Sequence, residues 1–167
     1  MDALEAIFTR RSIRRYTDEP VSAEDLKIIL EAGMNAPSAN NQQPWHFIVV
    51  DDRSKLNKIM KVHPYSQMLA QAPIAILVCG DTTISESYWE QDCSAATENI
   101  LLAARALNLG TVWMGVYPNT QRVSGIKTLF GLPEHVEPLN IIAVGHPAED
   151  KGRVDRYNAT RIHNNNW

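Results

Sequence analysis

The chain has 167 residues, with 16 Lys and Arg against 19 Asp and Glu, a net charge of −3, and 44% hydrophobic content. Such a length is most simply one domain and buries roughly 70% of its unfolded surface, so neither disulfides nor a structural metal are needed. The mild acidity argues against a general polyanion binder.

In chain order, Ala3 to Arg10 reads as a short helix. Ser22 with Asp25 three residues on resembles a capping box, and Leu26, Ile29, Leu30 and Gly33 follow at helical spacing. Met34 to Pro44 is a polar loop. His46 to Val50 is a short, apolar, β-rich run and predicts a buried strand. Ser54 opens a short helix, and Ile74 to Cys79 predicts a second buried strand, ended by Gly80-Asp81. Ser87 to Leu109 has the composition of a long helix, with Gly110 suited to its C′ position. Its face of Ala95, Ala96, Ile100, Ala103, Ala104 and Leu107 allows close packing, in a core or across a subunit interface. Thr111 to Val116 predicts a third strand, Gln121 to Phe130 a helix stopped by Gly131 and Pro133, and Leu139 to Val144 a fourth strand. His146 to Trp167 is polar and weakly periodic, and its terminal Trp favours an anchor packed on another surface. Without a strict βαβ rhythm, the expected class is α+β.

The start Met1 to Glu5 is acidic and has no apolar leader core, and no apolar run approaches a membrane span. Cys79 and Cys93 are too few for a disulfide framework and too far apart for a C-x-x-C motif. These features predict a reduced, soluble, cytoplasmic protein. Cys93, near the start of the long helix, is read as a buried inert thiol rather than an activated one.

Three stretches carry candidate chemistry. Arg10-Arg11-Ser12-Ile13-Arg14-Arg15 packs four arginines into six residues, and the planar guanidinium suits phosphate. The alternative is a solvated helix end, where cations suit the dipole. Pro37-Ser38-Ala39-Asn40-Asn41-Gln42-Gln43-Pro44-Trp45 sets hydrogen-bonding side chains between two backbone-restraining prolines. It fits a polar heterocycle, or equally a surface loop with local side-chain to backbone bonds. Gly110-Thr111-Val112-Trp113-Met114-Gly115 brackets an apolar strand with glycines. Gly115 would allow close approach of a flat ligand, while a simple buried strand explains the same pattern. There is no P-loop, no G-x-G-x-x-G and no H-E-x-x-H. The five histidines are scattered, with no metal-ligand spacing.

Taken together and in this order, the motifs resemble the nitroreductase family of FMN-dependent oxidoreductases. The resemblance rests on Arg10-Arg11-Ser12-Ile13-Arg14, on Ala36 to Phe47, on Gly110 to Gly115, on Gly145-His146-Pro147 and on the basic C-terminal segment ending in Trp167. It covers essentially the whole chain.

The resemblance implies an α+β fold, a central, mainly antiparallel sheet flanked by helices, in an intertwined homodimer. Residues 1–167 would be one FMN-binding domain, with 148–167 an arm packed on the partner subunit and Ser87 to Leu109 the dimer helix. Bound FMN would take hydride from NAD(P)H and pass it, in ping-pong order, to a nitroaromatic, quinone or similar planar acceptor. Arg10, Ser12 and Arg14 would contact the phosphate, ribityl chain and pyrimidine edge, with Arg11 contributing through its backbone. Pro37, Ser38, Ala39 and Asn41 would line the ring from the partner chain. Met114 and Gly115 would lie beside the ring, with the Gly115 N–H near flavin N5. Arg153 and Arg156 fit the C-terminal phosphate positions, with Arg161 in reserve. No catalytic side chain and no metal are implied, because the flavin carries the redox chemistry.

Two departures stand out. His146 occupies a position where the family often has an aromatic residue. The stretch between Gly80 and Glu90 is too short for the helical excursion of longer members, which implies a more open site; Tyr65, Gln67, Tyr88 and Trp89 are candidate lining residues. Within the fold the alternatives are a dehalogenase or azoline oxidase, and outside catalysis a non-turning-over FMN-binding protein. A nucleic-acid module built on Arg10 to Arg15 conflicts with the net charge and with the Pro37 to Trp45 loop, so no nucleic acid and no membrane are expected as partners.

Overall fold

The computed structural model describes residues 1–167. Its centre is four antiparallel strands in the order β1-β2-β4-β3: β1 (Trp45–Val50), β2 (Ile74–Asp81), β3 (Gly110–Gly115) and β4 (Val136–Gly145). The helices are α1 (Ala3–Thr9), α2 (Ala23–Met34), α3 (Arg53–Val62), α4 (Trp89–Ala106) and α5 (Thr120–Phe130). This is the expected α+β class.

The apolar run of β2 is continuous because both faces of the central strands are covered, whereas β1, expected to be buried, lies at an edge and exposes His46 and Val49. Ala75, Leu77, Cys79, Val112, Met114, Ile141 and Ala143 pack with Leu56 and Ile59 of α3 and Ile126 of α5. The alternate residues Ile74, Ile76, Val78, Ile142 and Val144 pack with Ile29 of α2 and Ala96, Ile100 and Ala104 of α4. The small-residue face of α4 therefore serves a core, where it meets α2 and the sheet.

Local signals set most boundaries. The Ser22 hydroxyl accepts from the Asp25 N–H at 2.9 Å, and its own proton goes to the Asp25 carboxylate at 2.8 Å. For α3 the cap is Asp52, not Ser54: its carboxylate accepts from the Lys55 N–H at 2.9 Å. β2 runs through Gly80 and Asp81, and β4 starts at Val136, because those ends pair with each other.

The long helix ends earlier than expected. Asn108, not Gly110, takes the left-handed position at φ 60°. The Asn108 N–H donates to Arg105 O at 3.0 Å and the Leu109 N–H to Ala104 O at 2.8 Å, the paired bonds of a Schellman ending. Gly110 instead opens β3, where an added Cβ would lie 2.8 Å from Ile13 Cγ2. Gly131, at φ 64°, closes α5 as expected.

Beyond Lys151 every residue is exposed, and Trp167 is fully so, with His163 stacked on it at 4.5 Å. The tail's only ordered turn is Ala159–Arg161. Within one chain the terminal Trp has no surface beneath it.

Candidate functional site

β3 is an edge strand, and its free edge organises the site. The Arg10–Arg15 segment runs along that edge in extended form. The Ile13 N–H donates to Thr111 O at 2.9 Å, within a parallel bridge between Ser12 and Thr111. Ile13 is buried and anchors the segment, which leaves Arg14 and Arg15 exposed. On its other side the segment meets residues 146–151. The Ala148 N–H donates to Arg15 O at 2.9 Å, the Arg14 N–H to Glu149 Oε1 at 2.6 Å, and Lys151 Nζ to Ser12 O at 2.7 Å. The Arg14 N–H, followed by Lys151, holds the Glu149 carboxyl below its ordinary pKa.

Beyond Thr111 the edge is uncovered. In an antiparallel strand, alternate residues turn both N–H and C=O to the same side. Thr111 O faces away from β4, so Trp113 and Gly115 do too. They border a cleft of about 460 Å³ lined also by Arg14, His63, Tyr65, Gln67, Met114 and Arg122. An added Cβ on Gly115 would meet nothing within 4 Å; the space above it is open. The Gly115 carbonyl accepts from Arg122 Nη1 at 3.0 Å and from His63 Nε2 at 2.8 Å.

His63 is almost fully buried. Its Nδ1 accepts from the Tyr65 N–H at 3.3 Å, so these two partners assign the ring proton to Nε2. Burial, then the nearby Arg122 charge, hold its pKa below the ordinary value against the opposing Gly115 bond. Both ring nitrogens are thus engaged by backbone, and His63 has no nucleophile to activate.

A second cationic cleft, about 510 Å³, lies beside α1 and is lined by Arg10, Arg11, Arg153 and Arg156 with Ile7 and Phe8. Arg153 stacks on the Phe8 ring at 4.5 Å, Arg11 Nη1 donates to Gly152 O at 2.6 Å, and Arg10 pairs with Glu98 at 3.5 Å. The tail arginines therefore gather with the N-terminal ones. Arg161 does not line this cleft.

The polar loop lies elsewhere. Pro37, Ser38, Ala39 and Asn41 precede β1, on the opposite edge of the sheet. Three strand spacings, on the order of 14 Å, separate that edge from β3. The Ala39 N–H donates to Asp92 Oδ1 at 3.0 Å, the Gln43 N–H to Ser38 Oγ at 3.0 Å, and Gln43 Nε2 to Asn41 Oδ1 at 2.7 Å. Asn40, Asn41 and Gln43 take positive φ within this loop. One chain brings Arg14, Met114 and Gly115 together, but it does not bring the loop to them.

Of the candidate lining residues, Tyr65 and Gln67 border the cleft. Trp89 does not: it is buried against Tyr117 at a ring separation of 4.9 Å. Tyr88 is half exposed beside it. Cys93 is inert as expected: burial pushes its thiol up to about 12, and that of Cys79 likewise. The sequence reading passed over His63, Arg122, Glu149 and Lys151. No motif marks them: His63 and Arg122 lie where β3 ends in an open glycine, and Glu149 and Lys151 beside the arginine run.

An antiparallel edge strand with outward backbone groups, an open glycine and two arginine clusters has the shape and charge to suit a flat ligand bearing an anionic group. The nitroreductase family model matches residues 7–146. A protein of Methanothermobacter thermautotrophicus, provisionally named an NADH dehydrogenase/NAD(P)H nitroreductase, is 53% identical, with 100% of this chain and 88% of that protein covered. An NAD(P)H FMN reductase of Bacillus subtilis is 32% identical, with 93% and 70% covered. A structure from Desulfovibrio desulfuricans, provisionally named a nitroreductase and solved with FMN, superposes with a TM-score of 0.86 at 36% identity, covering 100% of this chain and 98% of that one. The chain belongs to the nitroreductase family.

Proposed function

We propose that the protein is an NAD(P)H-dependent FMN oxidoreductase that works as a homodimer by ping-pong exchange, with nitroaromatics, quinones or similar planar molecules as acceptors. The observation that carries this reading is the open space over Gly115 beside Arg14, a guanidinium with no carboxylate within 4 Å. Those features, with the arginine cluster beside α1, fit FMN, which is flat at one end and dianionic at the other. Family membership supports the cofactor, and the names of the relatives support the hydride donor.

When bound, FMN supplies the hydride chemistry, taking hydride from the nicotinamide and giving it to the acceptor. The chain's own residues bind and orient. Arg10, Arg153 and Arg156 offset the phosphate charge, which is costly to bury unpaired, while Arg11 contributes through its backbone and Arg14 meets the pyrimidine edge. The Ser12 hydroxyl adds a donor. Met114 and Gly115 present an apolar floor and a backbone N–H. Pro37, Ser38, Ala39 and Asn41 serve the site of a second copy, because in their own chain they lie three strands away.

The exposed faces support that second copy. Leu4, Ile7 and Phe8 of α1 are 64%, 50% and 47% exposed, an apolar surface unusual for a free helix. Residues 1–167 form one FMN-binding domain, and 148–167 form an arm completed by the partner. No helix is long and apolar enough to cross a membrane. Two free cysteines support a reducing compartment, the cytoplasm.

The test is an anaerobic visible spectrum of the purified protein with FMN, before and after NADH or NADPH. Flavin that bleaches on addition and recovers with a nitroaromatic or a quinone is the expected result. A protein that neither retains nor binds FMN refutes the reading. Bound flavin that stays oxidised with both nucleotides refutes its catalytic half.

A further inference from the structure

The family reading gives Arg122 no task. Arg122 lies in the first turn of α5, whose cap Asn119 accepts the Arg122 N–H at 3.0 Å. A cation there opposes the helix dipole. No carboxylate lies within 4 Å of it, and the cleft it borders is lined by two arginines and no Asp or Glu. That is unusual in a chain of net charge −3.

The guanidinium is nevertheless held in place. Its carbon sits 5.2 Å from the centre of the Tyr65 ring, and Nη1 donates to the Gly115 carbonyl. Arg has five N–H donors in a fixed fork, and Nη1 is the one side-chain nitrogen engaged in a hydrogen bond. His63 buttresses the same carbonyl from the other side. The result is a braced, half-buried cation with donors free, at the Gly115 end of the cleft. The α1 cleft with Arg10, Arg11, Arg153 and Arg156 is a separate cavity.

We propose that Arg122, braced by Tyr65 and the Gly115 carbonyl, receives an anionic group of the molecule that exchanges electrons over Gly115. The group is a phosphate of the nicotinamide dinucleotide or a carboxylate of the acceptor; both present paired oxygens to a guanidinium fork. The inference rests on the oxidoreductase reading and adds a charge preference to it.

The test compares the full-length FMN-loaded protein with R122Q, which keeps a donor for the Gly115 carbonyl without the charge, and R122K, which keeps the charge. Flavin content is measured first. Two matched substrate pairs follow: 4-nitrobenzoate against 4-nitrobenzamide, and NADH against the phosphate-free donor 1-benzyl-1,4-dihydronicotinamide. Titration calorimetry with benzoate and benzamide gives a readout independent of turnover.

In R122Q, the ratio of kcat/KM for the anionic over the neutral member falls at least tenfold in one pair, and R122K recovers most of it. A fall in the first pair, with weaker benzoate binding, identifies the acceptor carboxylate; a fall in the second identifies the dinucleotide phosphate. Ratios within twofold of wild type in both pairs overturn the proposal. So does loss of FMN from R122Q, which assigns Arg122 to the cofactor. A wild-type protein without FMN binding overturns the oxidoreductase reading itself, and this inference with it.

Discussion

Two glycines of β3 separate packing from ligand approach. In Gly110→Ala the new Cβ meets Ile13 at 2.8, 3.0 and 3.2 Å, all atoms of a buried, β-branched side chain. Such overpacking costs about 1–3 kcal/mol, which lowers Tm by roughly 2–12 °C in a chain of this size. In Gly115→Ala the Cβ meets nothing within 4 Å, so the apoprotein keeps its Tm within about 2 °C. If a flat cofactor lies over that space, the methyl pushes into it. A cost of about 1–3 kcal/mol moved to binding weakens FMN by roughly 5- to 150-fold. The assay is FMN titration by flavin fluorescence, with thermal melts of both apoproteins. A Gly115→Ala variant that binds FMN as wild type does, or that melts as low as Gly110→Ala, refutes the reasoning.

Arg14→Ala lowers flavin retention severalfold in gel filtration while the elution volume stays that of wild type; unchanged flavin content removes its assigned role. Glu149 has its folded pKa held below the usual 4.5, chiefly by the Arg14 N–H. Its contribution to stability is therefore present above the unfolded pKa and lost as pH falls through the lower folded value. Glu149→Gln melts below wild type at pH 7, and the gap narrows as pH falls below the ordinary glutamate value of 4.5; a gap independent of pH contradicts this. Both thiols are buried and pushed up to about 12, so a disulfide reagent titrates neither in the native protein and both in denaturant. Fast labelling of either one in the native state shows that its helix or strand opens.

The central strands were legible in the sequence because they are buried on both faces; β1, expected to be buried, is an edge strand that exposes His46 and Val49. β2 carries an unbroken apolar run from Ile74 to Cys79, and the Ser22 cap is a local pattern. The end of α4 misled because Gly and Asn both accept the left-handed position: Gly110 matched the rule, yet Asn108 meets the geometry and Gly110 answers to Ile13 instead. Of the site, the arginine run and Gly115 were readable as motifs. His63 and Arg122 were not, because they meet at one carbonyl from positions 59 residues apart, and no spacing rule links them. The relation of the polar loop to the arginines was equally hidden, since only strand order puts them on opposite edges.

That separation has a genetic consequence. The proposed site, shared between two chains, takes its arginines from one and its loop from the other. A chain altered only at Arg14 and a chain altered only at Asn41 are each defective as homodimers. Co-expressed, they assemble mixed dimers in which one site inherits both lesions and the other inherits neither. Two inactive alleles therefore give each mixed dimer up to half of wild-type activity, which a site confined to a single chain does not allow.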